Sequence, residues 1–208
     1  MYRSWVCWFL LLCLYGCRNE AGHRSSSKGP EFQTGDLVFQ ISRSSQSQAI
    51  QLATGSVYSH VGVIYQKADH VFVLEAVQPV KLTLLKEWIE RGQDDHYVVK
   101  RLKDHEAVLT QATLGRMKQV AQGYLGKDYD LYFDWSDERI YCSELVWKLY
   151  ALGAGVELSQ QERFGDMDLS DPRVRAIMAD RYGENIPVDE PVVSPGALFR
   201  SALLMQIH

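Results

Sequence analysis

Cysteine is scarce in this chain of 208 residues, and its placement is lopsided. Three of the four, Cys7, Cys13 and Cys17, crowd into the first 17 residues, and Cys142 stands alone in all that follows. One thiol cannot build a disulfide framework or a Cys-rich zinc module, so both are excluded for the body of the protein. An excess of positive charge is also missing. Lys and Arg number 22 against 26 Asp and Glu, a formal charge of −4, which leaves no nucleic-acid footprint. No H-E-x-x-H pattern occurs, and no His pairs with Asp, Glu or Cys at a recognised ligand spacing, so neither a catalytic metal nor a cofactor is expected. Internal repeats and low-complexity stretches are missing from the body. What is present, 46% hydrophobic and 23% charged residues, is the composition of one globular domain.

Long apolar runs are rare too, with one exception. Trp5 to Tyr15 is unbroken, and at ~1.5 Å per helical residue it spans about 16 Å, half of the ~30 Å hydrocarbon core. With Arg3 before it, this run reads as a signal peptide over residues 1–16 rather than a lasting span. It ends in Leu14-Tyr15-Gly16-Cys17, which resembles the bacterial lipobox. That resemblance implies cleavage before Cys17, diacylglyceryl modification of its thiol and acylation of its amine; the other reading is an ordinary signal peptide with incidental cysteines. Acyl chains contribute ~0.8 kcal/mol per buried CH₂, so several make a durable anchor. The expected place is the cell envelope of a bacterium, on the periplasmic face, held to the membrane through Cys17. Arg18, where Asp is linked with inner-membrane retention, points to the outer membrane. Residues 17–34 then form the lipidated cysteine and a flexible tether carrying Ser25-Ser26-Ser27, Gly29 and Pro30, with a span of about 23 Å. The globular body covers residues 35–208.

Within the body, Leu37–Ile41 reads as a strand and Ser44–Thr54 as a short helix closed by Gly55. Val61–Gln66 and Val71–Val77 are β-branched and aromatic and form a hairpin turning at Lys67-Ala68. Tyr97–Leu102 is a further strand. Apolar residues at helical spacing predict a helix over Asp104–Tyr124 and another over Cys142–Leu152. No proline interrupts the stretch between Pro79 and Pro172. Strands first and helices after indicate an α+β fold, a small antiparallel sheet packed on helices.

The lone body cysteine has two readings. Free Cys is among the most buried residue types, so Cys142 can be structural. It also begins an apolar helix, where the N-terminal partial charge favours thiolate. Asp137, Glu138 and Glu144 oppose that effect if they face the thiol. A thiol of pKa ~8.5 further needs a base. The candidate is His60, at the mouth of the first hairpin strand. With the turn centred between Lys67 and Ala68, Glu75 sits opposite His60, about 4.5–5.5 Å away at Cβ. An odd loop would move Glu75 to the other face. Glu75 is otherwise awkward in Val71-Phe72-Val73-Leu74-Glu75-Ala76-Val77, where a carboxylate either faces solvent or is paired. His23, His70, His96, His105 and His208 read as solvated. Trp88 and Trp135 read as substrate platforms or as packing.

These residues resemble a known family. Gly35-Asp36-Leu37-Val38-Phe39, Ser59-His60-Val61-Gly62-Val63, Glu75 and Tyr141-Cys142-Ser143-Glu144-Leu145-Val146 look like the permuted papain-fold cysteine hydrolases of the NlpC-type superfamily, YiiX-like branch. Ordinary members place the Cys helix first; here the order is rotated to His60, Glu75, Cys142. The similarity extends over Ser44–Thr54, Gly126-Lys127-Asp128-Tyr129-Asp130, Asn185-Ile186-Pro187 and Val193-Ser194-Pro195, essentially the whole body. It implies a circularly permuted papain-like catalytic domain over 35–208, with Cys142 as nucleophile, His60 as base and then acid, and Glu75 orienting the imidazole. It further implies a cysteine amidase or peptidase acting on peptidoglycan-derived peptides or acyl-amides. Lecithin–retinol acyltransferases share the permuted order, which adds lipid acyl transfer or ester cleavage as alternatives, and a non-catalytic binding lipoprotein is a third. Tyr129 is either a substrate-binding residue lining the cleft or a packed aromatic.

Overall fold

The structure, a computed structural model, describes residues 31–208. The signal peptide, Cys17 and most of the tether therefore lie outside the described residues. Eight strands and seven α-helices are present among them: β1 (Leu37–Ser42), α1 (Ser47–Thr54), β2 (His60–Lys67), β3 (His70–Glu75), β4 (Lys81–Leu84), α2 (Leu85–Glu90), β5 (Gly92–Leu102), α3 (His105–Val108), α4 (Gln111–Tyr124), α5 (Cys142–Lys148), β6 (Glu162–Arg163), α6 (Pro172–Tyr182), β7 (Pro191–Val192), α7 (Pro195–Phe199) and β8 (Leu204–Gln206). Six strands make one antiparallel sheet in the order β4-β3-β2-β1-β5-β8, and β6 pairs with β7 separately. The arrangement is α+β, as the sequence indicates.

Strand alternation sends side chains to two different covers. Leu37, Phe39, Val61, Val63, Leu74 and Val98 face Leu145, Val146 and Leu149 of the α5 segment. Val38, Ile64, Val73 and Val99 face Leu85 and Trp88 of α2. A third cluster, built from Ala49, Phe164, Val174, Met178 and Val192, joins α1 and α6 into a small side lobe.

Two helices differ from the sequence expectation. The helix expected over Asp104–Tyr124 breaks at Leu109-Thr110, because Thr110 is extended and its hydroxyl accepts the Thr113 N–H at 3.3 Å, capping a new start. The helix expected over Cys142–Leu152 stays α-helical only to Lys148 and then widens into a π-helical turn, Leu149–Ala154. That turn presses Gly153 on α4, where a Cβ would meet Met117 Cγ at 2.6 Å. β4, α2, α6, α7 and β8 have no counterpart among the expected elements. Most are too short for periodicity to register, and α6 buries only Val174 and Met178. Asp171-Pro172 and Ser194-Pro195 nevertheless carry the N-cap signal at α6 and α7, each with its side chain accepting a backbone N–H of the first turn.

Glu31–Thr34, counted with the tether on composition, lie against the sheet. Thr34 Oγ1 accepts the Gln66 N–H at 3.0 Å, and Phe32 packs against the cluster that contains Val38 and Trp88. The strand that follows is anchored by Asp36, which accepts both Nε and Nη2 of Arg101 at 2.7 Å while almost wholly buried. Removing one partner of a buried bidentate pair strands the other charge, at a cost of about 3 kcal/mol or more. Asp36→Ala is accordingly expected to lose about that much stability in equilibrium urea unfolding. A loss below ~1 kcal/mol would show that Arg101 finds water or another partner instead.

Candidate active site

The site begins in the β2–β3 hairpin. Lys67 pairs with His70 and Val63 with Leu74, so the turn is Ala68-Asp69, one residue later than expected, with Ala68 in the left-handed region at φ 49°. The register is therefore shifted by two, and Glu75 does not sit directly opposite His60. An even shift keeps the same face. Glu75 falls opposite Gly62, its Cβ 3.6 Å from where a glycine Cβ would stand. Its carboxylate passes over the bare glycine to reach His60 diagonally, and His60 Nε2 donates to Glu75 Oε2 at 2.8 Å.

Glu75 has no exposed surface. Two residues beyond the hairpin help to hold it: Thr83 of β4 donates its hydroxyl at 2.6 Å, and Arg91, just past α2, donates from Nη2. Burial pushes the carboxyl up, but the hydrogen bond and charge of His60, with Thr83 and Arg91, outweigh it and hold Glu75 below the ordinary carboxylate range. His60 is buried too, which favours its neutral form. Hydrogen bonds and charges from Cys142 and Glu75 overcome this and raise its pKa to about 9. Trp88 closes over the imidazole, with ring centroids 5.9 Å apart and planes 25° apart. It is packing rather than a platform, since it is fully buried. Trp135 lies edge-on to Trp147.

Cys142 reaches the same point from the other face of the sheet, as the first residue of α5. His60, the Val61 N–H and Ser143 each favour the charged form of its sulfur. With Nε2 committed to Glu75, Nδ1 is the ring nitrogen left for the thiol. Burial raises the thiol pKa, and the hydrogen bond and charge of His60 bring it below the ordinary value. Of the neighbouring acids, Asp137 and Glu144 are held by partners of their own. Lys148 takes Glu144 at 2.7 Å and Asp137 at 2.9 Å, and the Tyr124 hydroxyl donates to Asp137. Burial moreover pushes Glu144 up to about 7.

Two cavities meet here. Cys142 opens on a narrow pocket of about 60 Å³ lined by Ile50, Phe133, Phe164, Ile177, Met178 and other apolar side chains of the side lobe. His60 opens on a polar cleft of about 430 Å³ that holds Gln40, Ser59, Gln78 and Arg91. Gln46, Tyr129 and Arg181 line both. They are joined in a chain in which Arg181 Nη2 donates to Gln46 Oε1 at 2.7 Å and Gln46 Nε2 donates to the Tyr129 hydroxyl at 3.0 Å. Burial and the charge of Cys142 push the Tyr129 hydroxyl well above its usual range. Tyr129 and Cys142 line the same apolar pocket. Of the remaining histidines, His70 and His96 are exposed, His105 is half-buried, and His208 lies against Tyr97 and Phe32. Sequence reasoning missed Thr83, Arg91, Gln46 and Arg181. Only the oddity of a carboxylate in an apolar strand pointed to the first two, because it demanded donors.

Comparison with known proteins places this geometry in context. Residues 31–208 match the permuted papain-like amidase enzymes of the YaeF/YiiX, C92 family. The chain is 49% identical over 175 residues to the uncharacterized protein YiiX of Escherichia coli (strain K12), covering 84% of this chain and 85% of that protein. It also superposes on the crystal structure described as metalloprotein yiiX from Escherichia coli O157:H7, with a TM-score of 0.80 and 48% identity, covering 85% of this chain and 96% of that one.

The charges make a prediction about reactivity. A lowered thiol beside a raised imidazole gives thiolate and imidazolium together from below the ordinary thiol range up to about pH 9, where His60 loses its proton. Alkylation of Cys142 by iodoacetamide at pH 6.5 should fall at least ~10-fold in His60→Ala, since a free thiol of pKa ~8.5 is then ~1% ionised. In Glu75→Gln the upper limit should move from about 9 toward the ordinary histidine range. Equal labelling rates in all three proteins would remove the ion pair.

Proposed function

The chain belongs to the permuted papain-like amidase family, and on that footing we propose that it is a cysteine amidase with Cys142 as nucleophile, His60 as general base and acid, and Glu75 as the group that orients and charges the imidazole. The Cys142 thiolate attacks the carbonyl carbon of an amide. The C–N bond then breaks, the nitrogen takes the proton from His60, and an acyl-thioester remains on the sulfur. Water attacks the thioester, His60 accepts its proton, and the C–S bond breaks to release the acid and restore the thiolate. The Cys142 N–H, at the first position of α5, is one donor to the oxyanion. Tyr129 is the second: its oxygen already accepts from Gln46, which leaves its own hydrogen to donate.

The acyl side is an apolar group. The observation that carries this choice is the pocket beside Cys142, lined mostly by hydrocarbon and aromatic side chains. An acyl-amide fits such a lining better than the polar peptide of peptidoglycan does. A metal has no part in this reading. The Glu75 oxygens are taken by His60, Thr83 and Arg91, and among the described residues no group of three or more His, Cys, Asp or Glu is arranged to hold an ion. Location rests on residues 1–17: cleavage before Cys17 and its lipidation would hold the enzyme at the periplasmic face of the envelope, on the outer membrane. No helix among the described residues is long and apolar enough to cross a membrane.

The test is hydrolysis of N-acyl amines, acyl esters and peptidoglycan peptides by the protein, with Cys142→Ser as the blank. Acyl-amides should be cleaved fastest, and the serine variant should lose at least ~10³-fold in kcat. Turnover that survives in Cys142→Ser would sink the proposal, as would the absence of turnover on every amide.

A further inference from the structure

The polar cleft beside His60 has an unbalanced charge that the mechanism does not use. Its charged lining consists of His60, Arg91 and Arg181, and no carboxylate lines it. Arg91 is answered by Glu75. Arg181 is not answered: among the described residues no acid lies within ion-pair distance of it, and the bond to Gln46 is the one it donates. The guanidinium is half-buried in the last turn of α6, and the Phe133 ring 5.4 Å below its carbon holds it in place. A guanidinium has five N–H donors in a planar fork, so most of its donors remain open. A fixed, partly desolvated cation without a counter-charge is a binding site for an anionic oxygen group.

A second polar group in the cleft is also unsatisfied. Gln40 pairs with His60 across β1 and β2, is 2% exposed, and its Oε1 has no hydrogen-bond partner. Gly92 leaves the space that this side chain fills, since a Cβ there would collide with it. That oxygen is buried against Gly92 rather than facing the cleft, so what the cleft presents to a ligand is the open cation at its wall. A ligand that carries an anionic oxygen group satisfies that cation.

We propose that the polar cleft recognises a carboxylate or phosphate carried by the departing amine, with Arg181 as its principal partner. Building on the amidase reading, this narrows the substrates to N-acyl derivatives of anionic amines. The side follows from the chemistry: His60 gives its proton to the leaving nitrogen, so the amine departs into the cleft that His60 lines, while the acyl group occupies the apolar pocket. Arg181 is a specificity residue for the amine half.

The experiment compares N-octanoylglycine, N-octanoyl-phosphoethanolamine and neutral N-octanoyl-propylamine on the full chain, Arg181→Gln and Arg181→Lys. The wild-type protein should prefer an anionic substrate over the neutral one by at least ~10-fold in kcat/KM. That ratio should collapse in Arg181→Gln, mainly through KM, and return in part in Arg181→Lys. The larger ratio of the two anions identifies carboxylate or phosphate as the source. A ratio near one in the wild-type protein overturns the inference, and so does a loss in Arg181→Gln that is equal for charged and neutral substrates. Binding to Cys142→Ser, read by calorimetry with the same three compounds, separates the two levels. If no amide is turned over yet an anionic compound binds through Arg181, the amidase reading fails and the anion site stands. If amides are cleaved without charge preference, the reverse holds.

Discussion

A fully buried carboxylate in an apolar strand is the constraint on which the rest of this site depends. Leaving an ionised Glu75 unpaired there would cost several kcal/mol, and neutralising it would remove the field that charges the imidazole. Three elements answer it: β2 with His60, β4 with Thr83 and the end of α2 with Arg91. Each donor also does something for its neighbours. Arg91 and Thr83 share one carboxylate oxygen and leave the other to His60 Nε2, so Nδ1 is the ring nitrogen free of Glu75. Trp88 on the same short helix shields the ring from water. In the proposed mechanism the thiolate is therefore the last member of a chain of charges that starts two strands away.

Much of that chain was legible in the sequence, and the part that was not has a physical reason. The role of Glu75 could be inferred from its incongruity, and its side of the sheet from strand parity. The turn position was wrong by one residue and the register by two, yet parity made the face come out right. What parity could not supply is the diagonal reach, which exists because Gly62 puts no side chain between Glu75 and His60. Thr83 and Arg91 stand on a four-residue strand and just past a six-residue helix. Such elements form because the sheet and its cover are already there, and they leave no periodic trace.

The acidic residues near Cys142 show the complementary limit. Read linearly, Asp137, Glu138 and Glu144 weaken the case for a thiolate. In three dimensions Lys148, one turn along α5 from Glu144, binds Glu144 and Asp137 and is itself almost wholly buried. A sequence lists charges but not their partners, and for a buried group the partner decides the sign of the effect.

The two halves of a bound substrate would rest on separate cores. The charged groups sit at the end of the large sheet, between α2 and α5, where strand pairing and deep apolar clusters fix them. The apolar pocket belongs to the lobe of α1 and α6, whose buried set is only Ala49, Phe164, Val174, Met178 and Val192. Side chains there can change size without disturbing Glu75 or His60, because no strand of the sheet carries them. One bridge between the halves is Arg181–Gln46–Tyr129, which begins on α6, crosses to the N-cap of α1 and ends at a residue that shares the pocket with Cys142. Any movement of α6 that admits a larger acyl group would also shift this chain. In the proposed mechanism the side lobe therefore couples the width of the apolar pocket to the placement of Tyr129, and so what the pocket would admit to how the reacting carbonyl would be held.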